Sequence, residues 1–255
     1  MNSTALHVSP HPDDEVLGCG ATLLALRGAG WRVVNLACSL GRPAHRERRL
    51  AELEAAVSAL GIEGIVADPP VDMSAGDDLA AAEDRVAELV ASTAARLGAD
   101  LVLSPHPDDA HHGHAVVGRA VARTAVAPRW WAWGLWRDLP TPNRYVSYGE
   151  DVMRRLLDAL RRHAGEVGRN AYEELLPARA RVQAILGSER VCGFGSGPAS
   201  AEPFADLLEE RSSSGGSGFH LARGHVVGLG ELVDPHPDGR QGGADAVVDG
   251  VGDGP

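Results

Sequence analysis

The sequence predicts a three-layer α/β fold built on a mostly parallel sheet, and two observations carry that expectation. The first hundred residues alternate short apolar runs with longer amphipathic ones, the pattern of strands feeding helices in a parallel sheet. Two of the amphipathic runs end on a glycine, Gly61 and Gly98, where a helix C-terminus needs a residue free to turn left-handed.

Taken in order, Ala5 to Ser9 is predicted as a strand, Val16 to Arg27 as a helix and Arg32 to Cys38 as a second strand. Arg46 to Leu60 follows as a helix, Gly64 to Ala67 as a short strand, Asp78 to Leu97 as a helix and Asp100 to Ser104 as a fourth strand. Another helix is expected from His114 to about Val126. Beyond Pro128 the segment from Trp130 to Trp136 holds four of the five tryptophans and reads as a strand packed on both faces or as an aromatic wall beside a ligand. Helices are expected from Glu150 to His163 and from Leu176 to Leu186, a flexible loop at Ser212 to Gly218, and a poorly ordered glycine-rich acidic tail beyond Asp234.

Composition narrows the chemistry. All 24 basic side chains are arginine, so a lysine Schiff base, a Ser-Lys dyad and a lysine-bearing phosphate loop are excluded. The formal net charge of -11 repels nucleic acid and anionic membrane, and the dense basic run from Arg42 to Arg49 reads equally as a solvated helix start or an anion site. Three cysteines, Cys19, Cys38 and Cys192, are too few and too odd in number for a disulfide scaffold, which suggests a reducing compartment. Met1 to His11 lacks a basic n-region and a long apolar core, so a cytoplasmic, soluble protein is expected.

The strongest local signal is His11-Pro12-Asp13-Asp14-Glu15, directly after the first strand and before the first helix. Ligands of open α/β sheets bind at the carboxyl ends of strands, which is where these acids and this histidine fall. A second cluster, Pro105 to His114, follows the fourth strand and carries His106, Asp108, Asp109, His111, His112 and His114. If the two strands lie close together, both clusters meet at one end of the sheet. Two imidazoles and a carboxylate with an open fourth position is the arrangement of a catalytic zinc. His-Pro-Asp occurs three times, at His11, His106 and His236, and composition does not say which copies bind metal. Asp108 and Asp109 read as partners that orient His111 or His114, and Glu15 as a residue that caps the helix or bonds back to the loop.

These residues resemble the PIG-L/LmbE-like zinc-dependent N-acetylglucosaminyl deacetylases. The resemblance rests on His-Pro-Asp-Asp-Glu, on Arg49-Leu50-Ala51-Glu52-Leu53 followed by Leu60-Gly61, on His111-x-x-His114 leading into Val117-Gly118-Arg119-Ala120, and on Ala159-Leu160 followed by His163. Within the family it is most similar to the deacetylases acting on teicoplanin-type glycopeptide pseudoaglycones. It implies a Rossmann-like core over 1–165, with 166–234 as a C-terminal extension and capping region and 235–255 as a tail. It further implies that His11, Asp14 and His114 hold Zn2+, that Asp13 is the general base and that His111 stabilises the oxyanion. Arg49, Asp72 and His163 would contact the sugar of an N-acylglucosaminyl substrate. The chain departs from the family where His-Pro-Asp-His becomes His111-His112-Gly113-His114, and where Ser-Gln after the later histidine becomes Gly165-Glu166.

The implied reaction is hydrolysis of an amide on a sugar, with a glycopeptide-antibiotic intermediate as the expected substrate and a glucosaminyl-inositol thiol precursor as the alternative. A non-catalytic sugar or metal binder is a third reading, against which Asp13 argues, because holding a metal does not require another acid there. A nucleotide-binding reading of Gly18-Cys19-Gly20 fails on the missing third glycine and on the acidic loop before it.

Overall fold

The computed structural model describes residues 3–74, 76–124 and 127–211, and the backbone of 212–213, 219–221 and 225–228. The expected tail and the third His-Pro-Asp copy lie outside the described residues, as does most of the expected loop after Ser213.

The sheet forms because its strands are apolar on both faces, as strands sandwiched between helices must be. β1 (Thr4–Ser9), β2 (Arg32–Ala37), β3 (Glu63–Val66), β4 (Leu101–Pro105) and β5 (Arg129–Trp133) pair in parallel in the order β3-β2-β1-β4-β5. β1 is central, with Leu6 opposite Val34 on one side and Val102 on the other. β6 (Arg144–Tyr148) and β7 (Phe204–Ser213) extend the sheet, β7 running antiparallel to both β5 and β6. The backbone-only strands β8 (Phe219–Leu221) and β9 (His225–Gly228) add to β7 and β6.

Side chains alternate across the sheet and divide the core in two. Ala5, Val33, Leu101, Leu103, Trp131 and Trp133 pack on one face, against α1 (Asp14–Leu17), α2 (Gly20–Gly28), α6 (Glu150–Leu160) and α8 (Tyr172–Cys192). Leu6, Val8, Val34, Leu36, Val102 and Trp130 pack on the other, against α4 (Leu79–Leu97) and α5 (His112–Thr124). Helices on both faces of the sheet make the three-layer, Rossmann-like α/β fold that the sequence predicts. Trp130, Trp131 and Trp133 are fully buried in these two layers, so most of the tryptophan run is a strand packed on both sides. Trp136 alone is 40% exposed.

α3 (Arg46–Leu60) has the predicted bounds, and Gly61 closes it at φ 70° as Gly98 closes α4 at φ 61°. The helix expected from Val16 to Arg27 is instead two: α1 ends at Leu17 and α2 begins at Gly20. The helix expected to reach His163 stops at Leu160, and His163 leads into a short α7 (Ala164–Val167). All three cysteines are free, and among the described residues no helix is long and apolar enough to cross a membrane.

Gly118 shows how tightly α5 sits on the loop after β4. A Cβ there would lie 2.7 Å from the Pro105 carbonyl oxygen, the His106 carbonyl carbon and the Pro107 nitrogen, all backbone atoms. Alanine improves helix propensity by about 1 kcal/mol, but this overlap costs about 1–3 kcal/mol or more, and the backbone of the loop cannot yield locally. Gly118→Ala is therefore expected to lower the urea midpoint, and a midpoint at or above that of the parent chain would show that α5 is not seated this closely.

Candidate functional site

Because β1 and β4 are neighbours and parallel, their carboxyl ends deliver the loop at residues 10–13 and the loop at 106–111 to the same end of the sheet. A cavity of about 450 Å³ opens there, and its wall includes His11, Asp13, Asp14, Arg49, His111 and His114. Asp14 lies at the convergence. Its Oδ2 accepts the His11 backbone N–H at 2.9 Å and lies 3.4 Å from His11 Nδ1, while its Oδ1 lies 3.2 Å from His114 Nε2. His11, His111 and His114 each offer a ring nitrogen, and these lie within 4.8 Å of one another.

Asp109 holds this arrangement from behind. One carboxylate oxygen accepts the His111 N–H at 3.0 Å and the other accepts the N–H groups of Leu135 and Trp136 at 3.0 and 3.2 Å. Its Oδ1 is also 3.6 Å from His114 Nδ1, an ion-pair contact rather than a hydrogen bond. His114 thus has one ring nitrogen towards Asp109 and the other towards Asp14, the carboxylate–histidine relay that orients a metal-binding imidazole. Asp108 is exposed and takes no part in this.

The two adjacent aspartates are driven in opposite directions. Burial and then the neighbouring Asp14 charge push Asp13 well above the ordinary carboxylate range, against the pull of Arg49. Burial acts on Asp14 too, but His114 and His11 outweigh it and hold Asp14 well below that range. Burial likewise opposes the charge on His114, yet Asp14 and Asp109 raise its pKa to about 10. Burial, reinforced by His11 and His114, lowers His111 to about 4. His111 is therefore neutral at pH 7. Its Nδ1 accepts the Gly113 N–H at 3.2 Å, so its proton sits on Nε2 as a donor.

Arg49 lines the cavity, donates from Nη2 to the Pro12 carbonyl at 3.0 Å and has its Nε 3.9 Å from Glu166. It fastens the motif loop as well as facing the cavity. The other two residues expected at the sugar lie elsewhere. Asp72 is exposed and pairs with Arg46, and His163 is completely buried with its Nε2 2.6 Å from Glu15 Oε1. Neither borders the cavity: Asp72 lies in the exposed segment after β3, and His163 is buried where the chain passes from α6 to α7. His106, the second His-Pro-Asp histidine, is buried 3.6 Å from Glu209 and away from the cavity.

Sequence reasoning missed Glu166, Arg169 and Tyr172, which border the cavity from α7, the link after it and the start of α8, and Met73 and Leu135, which add apolar wall. Only Glu166 carried a signal, since it stands where the chain departs from the family's Ser-Gln.

The fold and site define a Rossmann-like α/β protein with a histidine–carboxylate centre at the carboxyl end of its sheet. Residues 6–125 match the family model described as PIG-L: GlcNAc-PI de-N-acetylase. No curated protein matches the sequence significantly. Among similar solved structures is antimicrobial reagent A40926 pseudoaglycone deacetylase Dbv21, at 18% identity and TM-score 0.63, covering 88% of this chain and 98% of that one. Another is N,N'-diacetylchitobiose deacetylase from Pyrococcus horikoshii, at 16% identity and TM-score 0.61, covering 82% and 84%. The 4-carboxy-2-hydroxymuconate hydratase GalB from Pseudomonas putida KT2440 is similar too, at 19% identity and TM-score 0.58, covering 84% and 100%. At these identities the likeness is one of fold.

The charge pattern gives a pH test. A histidine whose pKa rises from 6.5 to about 10 on folding contributes stability that is complete below 6.5 and is lost as pH rises towards 10. The melting temperature of chelator-treated protein should fall over that window, and Asp14→Asn should flatten the fall. An equal slope in both proteins would remove Asp14 as the partner of His114.

Proposed function

We propose that the chain is a metal-dependent amide hydrolase that removes an N-acyl group from an N-acylglucosaminyl compound, with Zn2+ as the metal. The observation that carries the reading is the pair Asp13 and Asp14, adjacent in sequence and lining one cavity beside three histidines, with their proton affinities shifted in opposite directions. The donors suit a divalent ion: His11, Asp14 and His114 would hold it, two imidazoles and a carboxylate whose nitrogens and oxygens already converge. When bound, such an ion supplies a Lewis acid and makes nearby water more acidic.

The chain's own groups supply the rest. Asp13, a buried carboxylate with a raised proton affinity, takes the proton of the attacking water and returns it to the departing amine nitrogen. Neutral His111 donates its Nε2 proton as a hydrogen bond to the acyl oxygen while that oxygen gains charge. Arg49 keeps the loop carrying Asp13 in place and offers its remaining N–H groups to the sugar. The products are a carboxylic acid, acetate for an N-acetyl substrate, and a free glucosamine amine. The family description, a de-N-acetylase of a GlcNAc compound, supports this chemistry.

On the finer question of the substrate, a glycopeptide-antibiotic intermediate is the favoured reading. Trp136, half-open to solvent at the cavity wall with its ring 6.3 Å from Tyr172, provides an aromatic surface for a large aglycone, and the Dbv21 likeness supports the same class. A glucosaminyl-inositol thiol precursor is the alternative. The similar solved structures include a hydratase, so hydration is the reaction class to be separated from hydrolysis on this fold. We place the enzyme in the cytoplasm.

Acetate release from N-acetylglucosaminyl compounds, abolished by a chelator and restored by zinc, separates hydrolysis from hydration and from a non-catalytic binder. Asp13→Asn should retain zinc and lose activity by about 10²–10⁴-fold, whereas His11→Ala should lose the metal. Equal zinc loss in both variants would move Asp13 into the ligand set. With a glycopeptide substrate, Trp136→Ala should raise KM by roughly tenfold at nearly constant kcat, and an unchanged KM would remove the aromatic surface from substrate recognition.

A further inference from the structure

We infer that Glu15 and His163 form a positioning pair for Asp13: the buried Glu15 carboxylate, fixed by His163, holds the backbone of Asp13 in a strained conformation that aims its side chain into the cavity. The inference rests on the proposed role of Asp13 as base.

Asp13 is the single non-glycine residue with positive φ among the described residues, at φ 108° and ψ -24°. A side chain with a Cβ resists that region, and such strain persists only where the surroundings enforce it. Two contacts enforce it here. The Asp13 carbonyl accepts the N–H groups of Val16 and Leu17 at 3.0 and 2.9 Å, which starts α1. Its own N–H, turned inward by the positive φ, donates to Glu15 Oε2 at 3.0 Å. Glu15 is fully buried, and its other oxygen is the one 2.6 Å from His163 Nε2. The Glu15 carboxylate therefore joins the backbone of Asp13 to a residue 148 positions beyond Glu15 in the chain.

Without His163, Glu15 would be a buried acid with one oxygen unpartnered, and it would reorient or draw in water to satisfy it. The Asp13 N–H would then lose the acceptor that makes its conformation tolerable. His163 has a further hold on the site, since its carbonyl accepts the N–H groups of Glu166 and Val167 and so starts the turn that presents Glu166 beside Arg49. Burial of His163 away from the cavity wall gives it this role in place of contact with the sugar.

The test compares His163→Leu, which fills the space without a donor, with His163→Gln, whose amide N–H can still reach Glu15. His163→Leu should lower kcat by about 10–100-fold with KM within about twofold and zinc content equal to the parent enzyme, and His163→Gln should recover most of the loss. A rise in KM at constant kcat, or parent-like kcat in His163→Leu, would overturn the inference. If His163→Leu does not fold, His163→Asn, whose shorter amide cannot span the gap, takes its place with the same expectation. Crystal structures of the variants give a readout independent of turnover: in His163→Leu or His163→Asn the Asp13 N–H should part from Glu15 and its φ should leave the positive region. A variant that keeps both features refutes the pairing. If the parent enzyme releases no acid from any glucosaminyl amide, the proposed activity fails, while the crystallographic comparison still decides whether Glu15 and His163 hold Asp13.

Discussion

The parallel pairing of β1 with β4 is the constraint on which the site depends. Alignment of Leu6 with Val102 and of His7 with Leu103 leaves the two strands ending side by side, so the His11–Asp14 segment and the His106–His114 segment emerge as neighbours. Only from adjacent strand ends can one carboxylate, Asp14, stand between His11 on the first segment and His114 on the second. A slip of one residue in a β register exchanges the two faces of a strand, and the apolar layers on both sides of this sheet forbid it. The hydrophobic effect thus sets a polar geometry at a distance: the burial of Leu6, Val8, Val102 and Leu103 decides where the histidines meet.

Charge balance explains why neighbouring aspartates diverge. Asp14 has two imidazoles within 3.4 Å, enough to offset its burial. Asp13 has only the more distant help of Arg49, whose guanidinium is divided between the Pro12 carbonyl and the Glu166 carboxylate. Arg49 therefore lowers Asp13 only in part, and burial next to an ionised neighbour prevails. The environment, rather than residue type, assigns one aspartate to ligand geometry and the next to proton transfer.

Where local signals and tertiary packing agreed, the chain could be read directly. Helix α3 follows from its amphipathic pattern and from Gly61, and the central strands follow from their short, mainly apolar runs. The two motif loops were legible as chemistry because strand ends are where such residues act, and their meeting needed only the adjacency of two strands. Three features escaped. β7 reads Phe-Ala-Asp-Leu-Leu-Glu-Glu-Arg, a spacing no more strand-like than helical, and becomes a strand because β5 and β6 both supply partners. The break between α1 and α2 falls at Cys19, at φ -154° and ψ 43°, and next to it Gly18 faces Trp133, whose ring would lie 2.8 Å from a Cβ there, a neighbour far away in the chain. Glu15, read in sequence as a helix cap or a loop contact, does bond back to the loop, but its partner His163 is set by where the chain turns after α6.

Asp109 has a consequence for how such a protein diversifies. The same carboxylate that backs His111 and His114 also accepts the backbone of Leu135 and Trp136, so the cavity's floor and its aromatic lip are moored to one post. The exposed Trp136 side chain can be exchanged while its N–H keeps that mooring, whereas Leu135 is also held by the core. Insertions or deletions between Trp133 and Trp136 would pull on it, and through it on the histidines. Tolerance here is divided within a single short loop, with the outermost side chain open to change and chain length held fixed by the centre beneath.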